Sequence, residues 1–442
     1  MKVAVIADDF TGAGDAGVQF AKHGMHVSVL FQLTAGLDKL TGRDVLVLDT
    51  DSRSLDAKSA YIRTAMASLK AQAFGADVVL KKIDSTLRGN IGAELDALYD
   101  TIRPDFIIIA PAYPEMGRLV RQGMLYVNGI PLQDTEFARD PKTPVIEPYI
   151  PDLLRKQTKR SVEIIPSAIM EEGKGALVSF LQNGESRGVR YLVADSAEDS
   201  DLKRLVAFMV ETDYTVVWAG SAGLADHLSS HLCGHFSVDL PISRPSETLV
   251  PEKIAEPILT VVGSVSSRSR CQLDILLQLP HIQGVKAESY RLLTGHPDRE
   301  REIMNAVEQA DLALRQNVHT VLYSSGEDED IRIAQEVGSE YELNDQQVSD
   351  EIACALGEVV SRLIKRVRIG GIVLTGGDTA RHIGNSLRIH EFRLYDEVER
   401  GIPAGLIVMD QPLPAVTKAG GFGSDHALVK ALELLHRGMG MR

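Results

Sequence analysis

The sequence predicts an α/β fold in two domains, each a mainly parallel sheet with flanking helices, and three observations predict it. Short apolar runs bounded by polar residues or glycine recur at 2–7, 26–30, 44–49, 77–81, 105–110, 190–195 and 215–219, with helix-compatible stretches between most of them. Runs that are apolar throughout suit strands buried on both faces, and their alternation with helices points to a parallel sheet. A chain of 442 residues exceeds what one hydrophobic core usually supports, so two domains of roughly 150 to 250 residues each are expected. Finally, "GHFSVDLPISRPSETLVPEKIAE" (234–256) carries repeated prolines and no sustained amphipathic period, as an extended connection would. The expected organisation is a first domain over 1–235, a linker over 236–256 and a second domain over 257–442.

Taken in order, "KVAVIA" opens the chain as a strand and "DDFTGAGDAGVQFAKHG" follows it. Ala13, Ala16, Gly17, Phe20 and Ala21 share one face at 3.6 spacing, which predicts the first helix, with Gly24 at its C-terminal cap. "MLYVNGIPL" (124–132) departs from the strand-helix alternation: Asn128-Gly129 between apolar segments signals a tight hairpin outside the parallel sheet. A second series begins with "PILTVVGS" (257–264), continues through "TVLYSSG" (320–326) and "GGIVLTGGD" (370–378), and ends with "AGLIVMD" (404–410) and "VTKAGGFGSDHALVKAL" (416–432). The second half is therefore also α/β, with glycine turns where strands end. No internal repeat or low-complexity segment is visible.

Composition narrows the function. With 44% hydrophobic residues the chain can bury substantial cores, and a formal charge of -14 argues against a general nucleic-acid or membrane-surface role. Any anionic ligand must then be held by local positive charge. Three cysteines far apart (Cys233, Cys271, Cys354) suggest neither a disulfide framework nor a cysteine zinc site. No signal-peptide pattern stands at the start and no apolar run approaches about 18 residues, so the cytoplasm is the expected compartment.

The glycines at 12, 14 and 17 spell G-x-G-x-x-G, a dinucleotide fingerprint if they form the turn between strand and helix. "DDFT" intervenes before the first of them, however, and "HVSVLFQLT" supplies no carboxylate to end the second strand. A nicotinamide-dependent oxidoreductase is thus the weaker reading, and the aspartates carry more. Asp8 and Asp9 stand at a strand's carboxyl end, where parallel sheets face their ligands, although either could simply cap the helix. "LDTDSRSLD" (48–56) delivers Asp51, Ser52, Arg53 and Ser54 at another strand end. "VVLKKIDSTLRGNIGAEL" (78–95) delivers Lys81, Lys82, Asp84 and Arg88 with Ser85, Thr86 and Asn90. Each could be a solvated charged loop. Three strand ends with the same mixture of acids, bases and hydroxyls instead suggest a site for a small, anionic, hydroxylated molecule.

The second half is rich in glycine rather than charge. "VVGSVSSRS" (261–269), "LTGGDTARHIG" (374–384) and "TKAGGFGSDHA" (417–427) each join an apolar run to a helix. Small residues let backbone N–H groups approach phosphate oxygens, and helix N-termini add favourable dipoles. Singly each is an ordinary strand-to-helix turn; together they suggest nucleotide phosphates. No G-x-x-x-x-G-K-[ST] occurs and the protein-kinase motifs are absent. Asp378 could hold a metal ion through water or cap a helix. "GSAGLA" (220–225) reads as a close strand-helix turn facing the crevice, and His382 and His426, beside glycine loops, read as surface residues.

"IADDFTGAGDAGVQFAKHG", "KKIDSTLRGNIGAEL", "LTGGDTARHIG" and "VTKAGGFGSDHALVKAL", in this order over nearly the whole chain, resemble the recurrent motifs of the four-carbon acid sugar kinase family. The resemblance implies an acid-sugar-binding N-terminal domain, an ATP-binding C-terminal domain, an active site in the cleft between them, and phosphorylation of the C4 hydroxyl. Carried over by motif, the acid-sugar contacts are Asp9, Arg53, Lys82, Ile83, Asp84 and Ser85. The ATP contacts are Ser264, Gly376, Gly377, Asp378, Thr379 and either Gly421 or Gly423. Asp84 or Asp9 is the expected catalytic carboxylate, with Mg2+ accompanying ATP on ligands the sequence does not identify. The segment "MLYVNGIPLQDTEFARDPKTPV" (124–145) resembles the D-threonate-specific members, ahead of those acting on D-erythronate or 3-oxo-tetronate. A non-catalytic sugar-acid-binding regulator on the same fold is a further alternative. The expected partners are small molecules, not nucleic acid or membrane, with a homo-oligomer left open.

Overall fold

A computed structural model of the chain describes residues 1–34, 36–37, 40, 42–139, 144–234 and 256–438. The expected linker, apart from Glu256, and residues 140–143 of the "TEFARDPKTP" segment lie outside the described residues. The chain divides into two compact units, Met1–Ser243 and Arg244–Arg442.

In the first unit the elements are β1 (Val3–Ala7), α1 (Phe10–Lys22), β2 (Val27–Leu30), β3 (Val45–Asp49), α2 (Ala57–Phe74), β4 (Val78–Lys82), α3 (Ile91–Ile102) and β5 (Phe106–Ala110). Next come β6 (Arg118–Arg121), β7 (Met124–Val127), β8 (Ile130–Pro131), α4 (Ile150–Arg155), β9 (Val162–Ile165), α5 (Ser167–Glu172) and α6 (Lys174–Ser186). The unit closes with β10 (Tyr191–Ala194), α7 (Asp199–Val210), β11 (Val216–Gly220) and α8 (Ala222–Gly234). Its strands run in the order β2-β3-β1-β4-β11-β5-β10-β9, and every neighbouring pair is parallel. All residues of β1, β3 and β5 are buried, which is why these segments read as uninterrupted apolar runs. From β1 the chain builds outward to β3 and β2 on one side and to β4 on the other. This makes the carboxyl ends of β3, β1 and β4 a topological switch point, where ligands of open α/β sheets bind.

The hairpin forms where expected. Asn128 and Gly129 join β7 to β8 with φ of 52° and 81°, the left-handed pair that a two-residue loop demands. It belongs to a separate antiparallel sheet, β6-β7-β8. Asp195, past the end of β10, accepts the Gln122 and Gly123 N–H groups of the β6–β7 turn at 2.9 and 2.8 Å and ties this sheet to the main one.

The second unit contains β12 (Ile258–Val262), α9 (Ser267–Leu277), β13 (Ile282–Ala287), α10 (Arg299–Arg315), β14 (His319–Ser324), α11 (Asp328–Glu340) and α12 (Asp345–Ile364). It continues with β15 (Gly371–Thr375), α13 (Gly377–Ser386), β16 (Glu391–Glu397), β17 (Pro403–Val408), β18 (Leu413–Lys418) and α14 (Ala427–Arg437). The strand order is β13-β14-β12-β15-β18-β17-β16. The first five strands are mutually parallel, whereas β17 and β16 add antiparallel. Each of the strands ending in a glycine loop, β12, β15 and β18, lies beside the next, so the three loops emerge together. Among the described residues no helix is long and apolar enough to cross a membrane.

Gly220, the last residue of β11, shows how closely the first unit is packed behind its strand ends. A methyl group there would meet the Ala110 carbonyl oxygen and the Leu224 side chain, each at 2.5 Å. Gly220→Ala is therefore expected to destabilise the unit by about 1–3 kcal/mol. Urea denaturation followed by the fluorescence of Trp218, the single tryptophan and a buried residue of β11, measures it.

Candidate active site

In the first unit the site is built on the register of three strands. Ala7 lies opposite Asp49 on β3 and Lys82 on β4, so the segments leaving β1, β3 and β4 start level with one another. From β1 come Asp8, buried, and Asp9, half-buried. Asp9 is the N-cap of α1, and its Oδ1 accepts the Gly12 N–H at 2.8 Å. Gly12, Gly14 and Gly17 thus lie inside the helix and do not form the turn into it. A side chain at Gly12 would collide with the Asp9 carboxylate, so this glycine serves the cap, and the dinucleotide reading loses the turn it requires.

Arg53 is the centre of the cluster. Its Nε and one terminal nitrogen donate to Asp8 at 2.7 and 2.9 Å, and its other terminal nitrogen donates to Asp9 at 2.8 Å. Burial works against the guanidinium charge, but Asp8, Asp9 and Asp84 outweigh it and hold the arginine well above its usual range. Burial likewise pushes Asp8 toward the neutral acid, and Arg53, Lys81 and Lys82 overcome that push and hold its carboxyl below the usual carboxylate range. Asp84 turns back on its own loop, accepting from Arg88 at 2.8 and 3.2 Å and from Thr86. Arg88 and Arg53 overcome its burial as well, so Asp84 is held far below the ordinary value.

Lys82 lies beside the first turn of α1. Its Nζ donates to the Ile83 carbonyl at 3.0 Å, and its carboxylate partner, Asp15, is 3.9 Å away. Ile83 is buried in the core, with its N–H donated to the Gly220 carbonyl and its own carbonyl accepting from Lys82. Ser85 is half-buried in the turn that follows Asp84. Beneath these residues Lys81 and Glu94 form a fully buried ion pair at 2.9 Å, and Glu94 also accepts from Ser52. Of these supports, Glu94 carries no mark in the sequence, because its burial depends on where α3 packs. Ser221 of the "GSAGLA" turn donates to the Ala112 carbonyl at 2.7 Å, so its hydroxyl serves the local backbone.

The glycine loops of the second unit converge. A side chain at Gly263 would collide with Thr379, one at Gly420 with the Ser264 hydroxyl, and one at Gly376 would lie 3.2 Å from Thr379 and 3.5 Å from Ser264. Gly376 has φ of 101°, open to glycine alone in practice, and leads directly into α13, whose first turn holds Gly377, Asp378 and Thr379. Gly421 is exposed with open space around it, whereas Gly423 (φ 85°) packs against Ala427 and Ile402. Between the two alternatives, Gly421 is the one that faces outward. His382, expected at the surface, is half-buried in α13, and burial lowers its pKa; His426 is exposed. Among the described residues no group of three or more His, Cys, Asp or Glu is placed to hold a metal ion.

The halves of the chain match two family domains, a sugar-binding N-terminal domain over residues 3–228 and a nucleotide-binding C-terminal domain over residues 259–428. A D-threonate kinase from Salmonella typhimurium is 35% identical over 435 residues, 98% of each chain. This chain belongs to the four-carbon acid sugar kinase family. A D-erythronate kinase from Heliobacterium modesticaldum is 28% identical, over 98% of this chain and 97% of its own. A solved structure from Salmonella typhimurium LT2 matches the fold with a TM-score of 0.81 at 23% identity, over 97% of this chain and 98% of its own. The family consists of phosphotransferases with an alcohol group as acceptor.

Because Arg53 compensates two carboxylates that are largely out of water, Arg53→Met is expected to cost about 3–5 kcal/mol of stability at neutral pH. Asp8 has its folded pKa lowered, so its contribution is complete above about pH 4 and is lost as pH falls through the lower folded value. The deficit of the variant should therefore shrink on acidification, measured by denaturant titrations at pH 7 and in acid. A deficit that stays constant with pH would contradict the assignment.

Proposed function

We propose that the chain transfers the γ-phosphoryl group of ATP to the C4 hydroxyl of a four-carbon sugar acid, with D-threonate as its preferred acceptor. The observation that carries this reading is the division of labour between the units. Paired charges and hydroxyls meet at the ends of β1, β3 and β4, and glycine backbone converges at the ends of β12, β15 and β18. The first arrangement suits a small hydroxylated anion and the second suits phosphates. D-threonate is favoured over D-erythronate and 3-oxo-tetronate by the segment at 124–145 and by the more similar of the two named relatives.

Phosphoryl transfer relies on alignment and charge neutralisation more than on covalent help from the protein. Lys82 is suited to the acceptor's carboxylate or the transferring group, because its ion-pair partner among the described residues, Asp15, stands at 3.9 Å, the loosest pairing in the cluster. Arg53 is committed to Asp8 and Asp9, and acts by fixing both while presenting its charge to the site. Asp84, held ionised far below neutrality, is a weak proton acceptor, and its suitable role is to accept a hydrogen bond from the alcohol and orient it. Asp9, the more exposed of the two carboxylates, is the other acceptor for a substrate hydroxyl. The N–H groups at the start of α13 and around Gly421 would receive the phosphates, with Ser264 and Thr379 lining the approach. Mg2+ accompanying ATP would supply charge neutralisation on the phosphates; such sites use few protein ligands, and Asp378, in the first turn of α13, would be a carboxylate able to contribute one.

ADP release from Mg-ATP, followed by a coupled assay across D-threonate, L-threonate, D-erythronate and 3-oxo-tetronates, tests this directly. The highest kcat/KM is expected with D-threonate. Lys82→Met should raise KM for the acid by about tenfold or more, and Asp84→Asn should lower kcat by about a hundredfold. Acid-dependent ADP release with none of the substrates would overturn the reading, and undiminished turnover in the Asp84 variant would remove that residue from the chemistry.

A further inference from the structure

The second unit contains a buried cation beside its glycine loops. Lys418 is the last residue of β18 and is 1% exposed. Its Nζ donates to the carbonyl oxygens of Ala419, Gly420 and Phe422 at 2.8, 2.9 and 3.2 Å, and reaches the Ser269 hydroxyl at 3.3 Å. Ser269, in the first turn of α9, itself donates to the Gly420 carbonyl at 2.8 Å. The side chain thus folds back beneath the loop that follows its own strand and gathers its carbonyls onto one ammonium group.

This has a consequence for the outer side of the loop. In a trans peptide the C=O of one residue and the N–H of the next point in opposite directions. With the carbonyls of Ala419, Gly420 and Phe422 drawn inward to Lys418, the N–H groups of Gly420, Gly421 and Gly423 turn away from it. Outward-turned N–H groups in a glycine-rich turn, at the place where Gly421 meets open space, form an anion-binding concavity with a positive charge beneath it. The far end of the loop is anchored separately, since Glu399 accepts the N–H and hydroxyl of Ser424, both at 2.6 Å.

We propose that Lys418 is a positioning residue for the nucleotide, holding the 419–423 loop so that its N–H groups face the phosphate oxygens. This deepens the ATP-dependent reading above and rests on it. Two further features agree. An ammonium placed below the loop needs no carboxylate partner if a phosphate completes its neutralisation, and among the described residues Lys418 has none in ion-pair contact. Burial, with the charge of Arg268 on α9 adding to it and Glu399 opposing it, pushes Lys418 down to about 7. Of these neighbours, Arg268 is itself paired with Asp425 and Glu399 with Lys430, so the one does not stand free to replace the charge of Lys418 nor the other to neutralise it. Loss of the proton removes one of the donors that gather the carbonyls, and with it the charge.

The test is Lys418→Met in the full chain, with KM for ATP and for the sugar acid measured separately and nucleotide affinity titrated from about pH 6.5 to 8.5. The expected result is a rise of about tenfold in KM for ATP, with KM for the acid within about twofold of the unsubstituted protein. Affinity for Mg-ATP should also fall more steeply with pH in the unsubstituted protein than in the variant, after the ionisation of ATP common to both is subtracted. A purely structural role would reduce the folded fraction without moving KM for ATP or the pH difference, and that result overturns the proposal. Should the methionine variant lack a cooperative unfolding transition, Ser269→Ala decides. It removes one tether of Gly420 without stranding a charge, and an unchanged KM for ATP in it overturns the proposal, whereas a rise of about threefold supports it. If the unsubstituted protein binds no nucleotide, the ATP-dependent reading itself fails, an outcome distinct from a loop that binds ATP equally well without Lys418.

Discussion

The first unit depends on one constraint: Arg53 must be shared by two adjacent aspartates. Asp8 and Asp9 leave β1 in opposite roles, one buried beneath the guanidinium and one capping α1, and Arg53 spans both with three hydrogen bonds. Removing any of the three leaves uncompensated charge in a place where water cannot easily repair it. The cluster is underpinned by a second buried pair, Lys81 with Glu94, which fixes Ser52 through the Glu94 carboxylate and so the approach of the chain to Arg53. Burial and opposite charges act against each other at Asp8, Arg53 and Asp84, and there the charges win. At Glu94 the burial wins and raises the carboxyl, with Asp8 adding to it. The result is a rigid, nearly balanced arrangement in which Lys82 keeps the loosest partner.

The second unit solves a different problem by different means. A polyphosphate needs many donors in a small volume, and side chains are bulky, so backbone N–H groups are the economical supply. Glycine is required where loops from three neighbouring strands must pass within contact of one another. Gly263 makes room for Thr379, and Gly420 makes room for Ser264. Charge enters from below the loop, through Lys418. A loop arranged by a cation beneath it presents its N–H groups without the entropy cost of ordering long side chains on each binding event.

Much of this was legible in the sequence, and the rest was hidden for identifiable reasons. The fully buried strands β1, β3, β5, β12 and β15 announce themselves as apolar runs, and Asn128-Gly129 announces its hairpin. The strands β9, β13 and β16 did not, because each exposes part of its surface: "IQGVKA" and "EFRLYDE" alternate buried and exposed residues with charges among them. The addition of β17 antiparallel to β18, and of β16 antiparallel to β17, was equally invisible, since strand direction is set by connections and not by composition. The G-x-G-x-x-G spacing was legible but misleading: the helix begins at Phe10, before the first glycine, because Asp9 caps it.

The sequence by itself determined which residue types stand at the strand ends, and that alone separated a charged, hydroxylated half from a glycine-rich half. Spacing along the chain is enough for this, because a parallel sheet delivers every strand's carboxyl end to one edge. Only the tertiary structure decided which of those residues meet. Arg53 is 45 residues from Asp8 and Ser269 is 149 from Lys418. Their partnerships follow from strand order, β3 beside β1 and β12, β15 and β18 in succession, and from burial that makes an unpaired charge intolerable. A lysine written in the sequence as one cation among many becomes, once enclosed, the support of a loop, because enclosure leaves its ammonium the loop carbonyls and the Ser269 hydroxyl as acceptors.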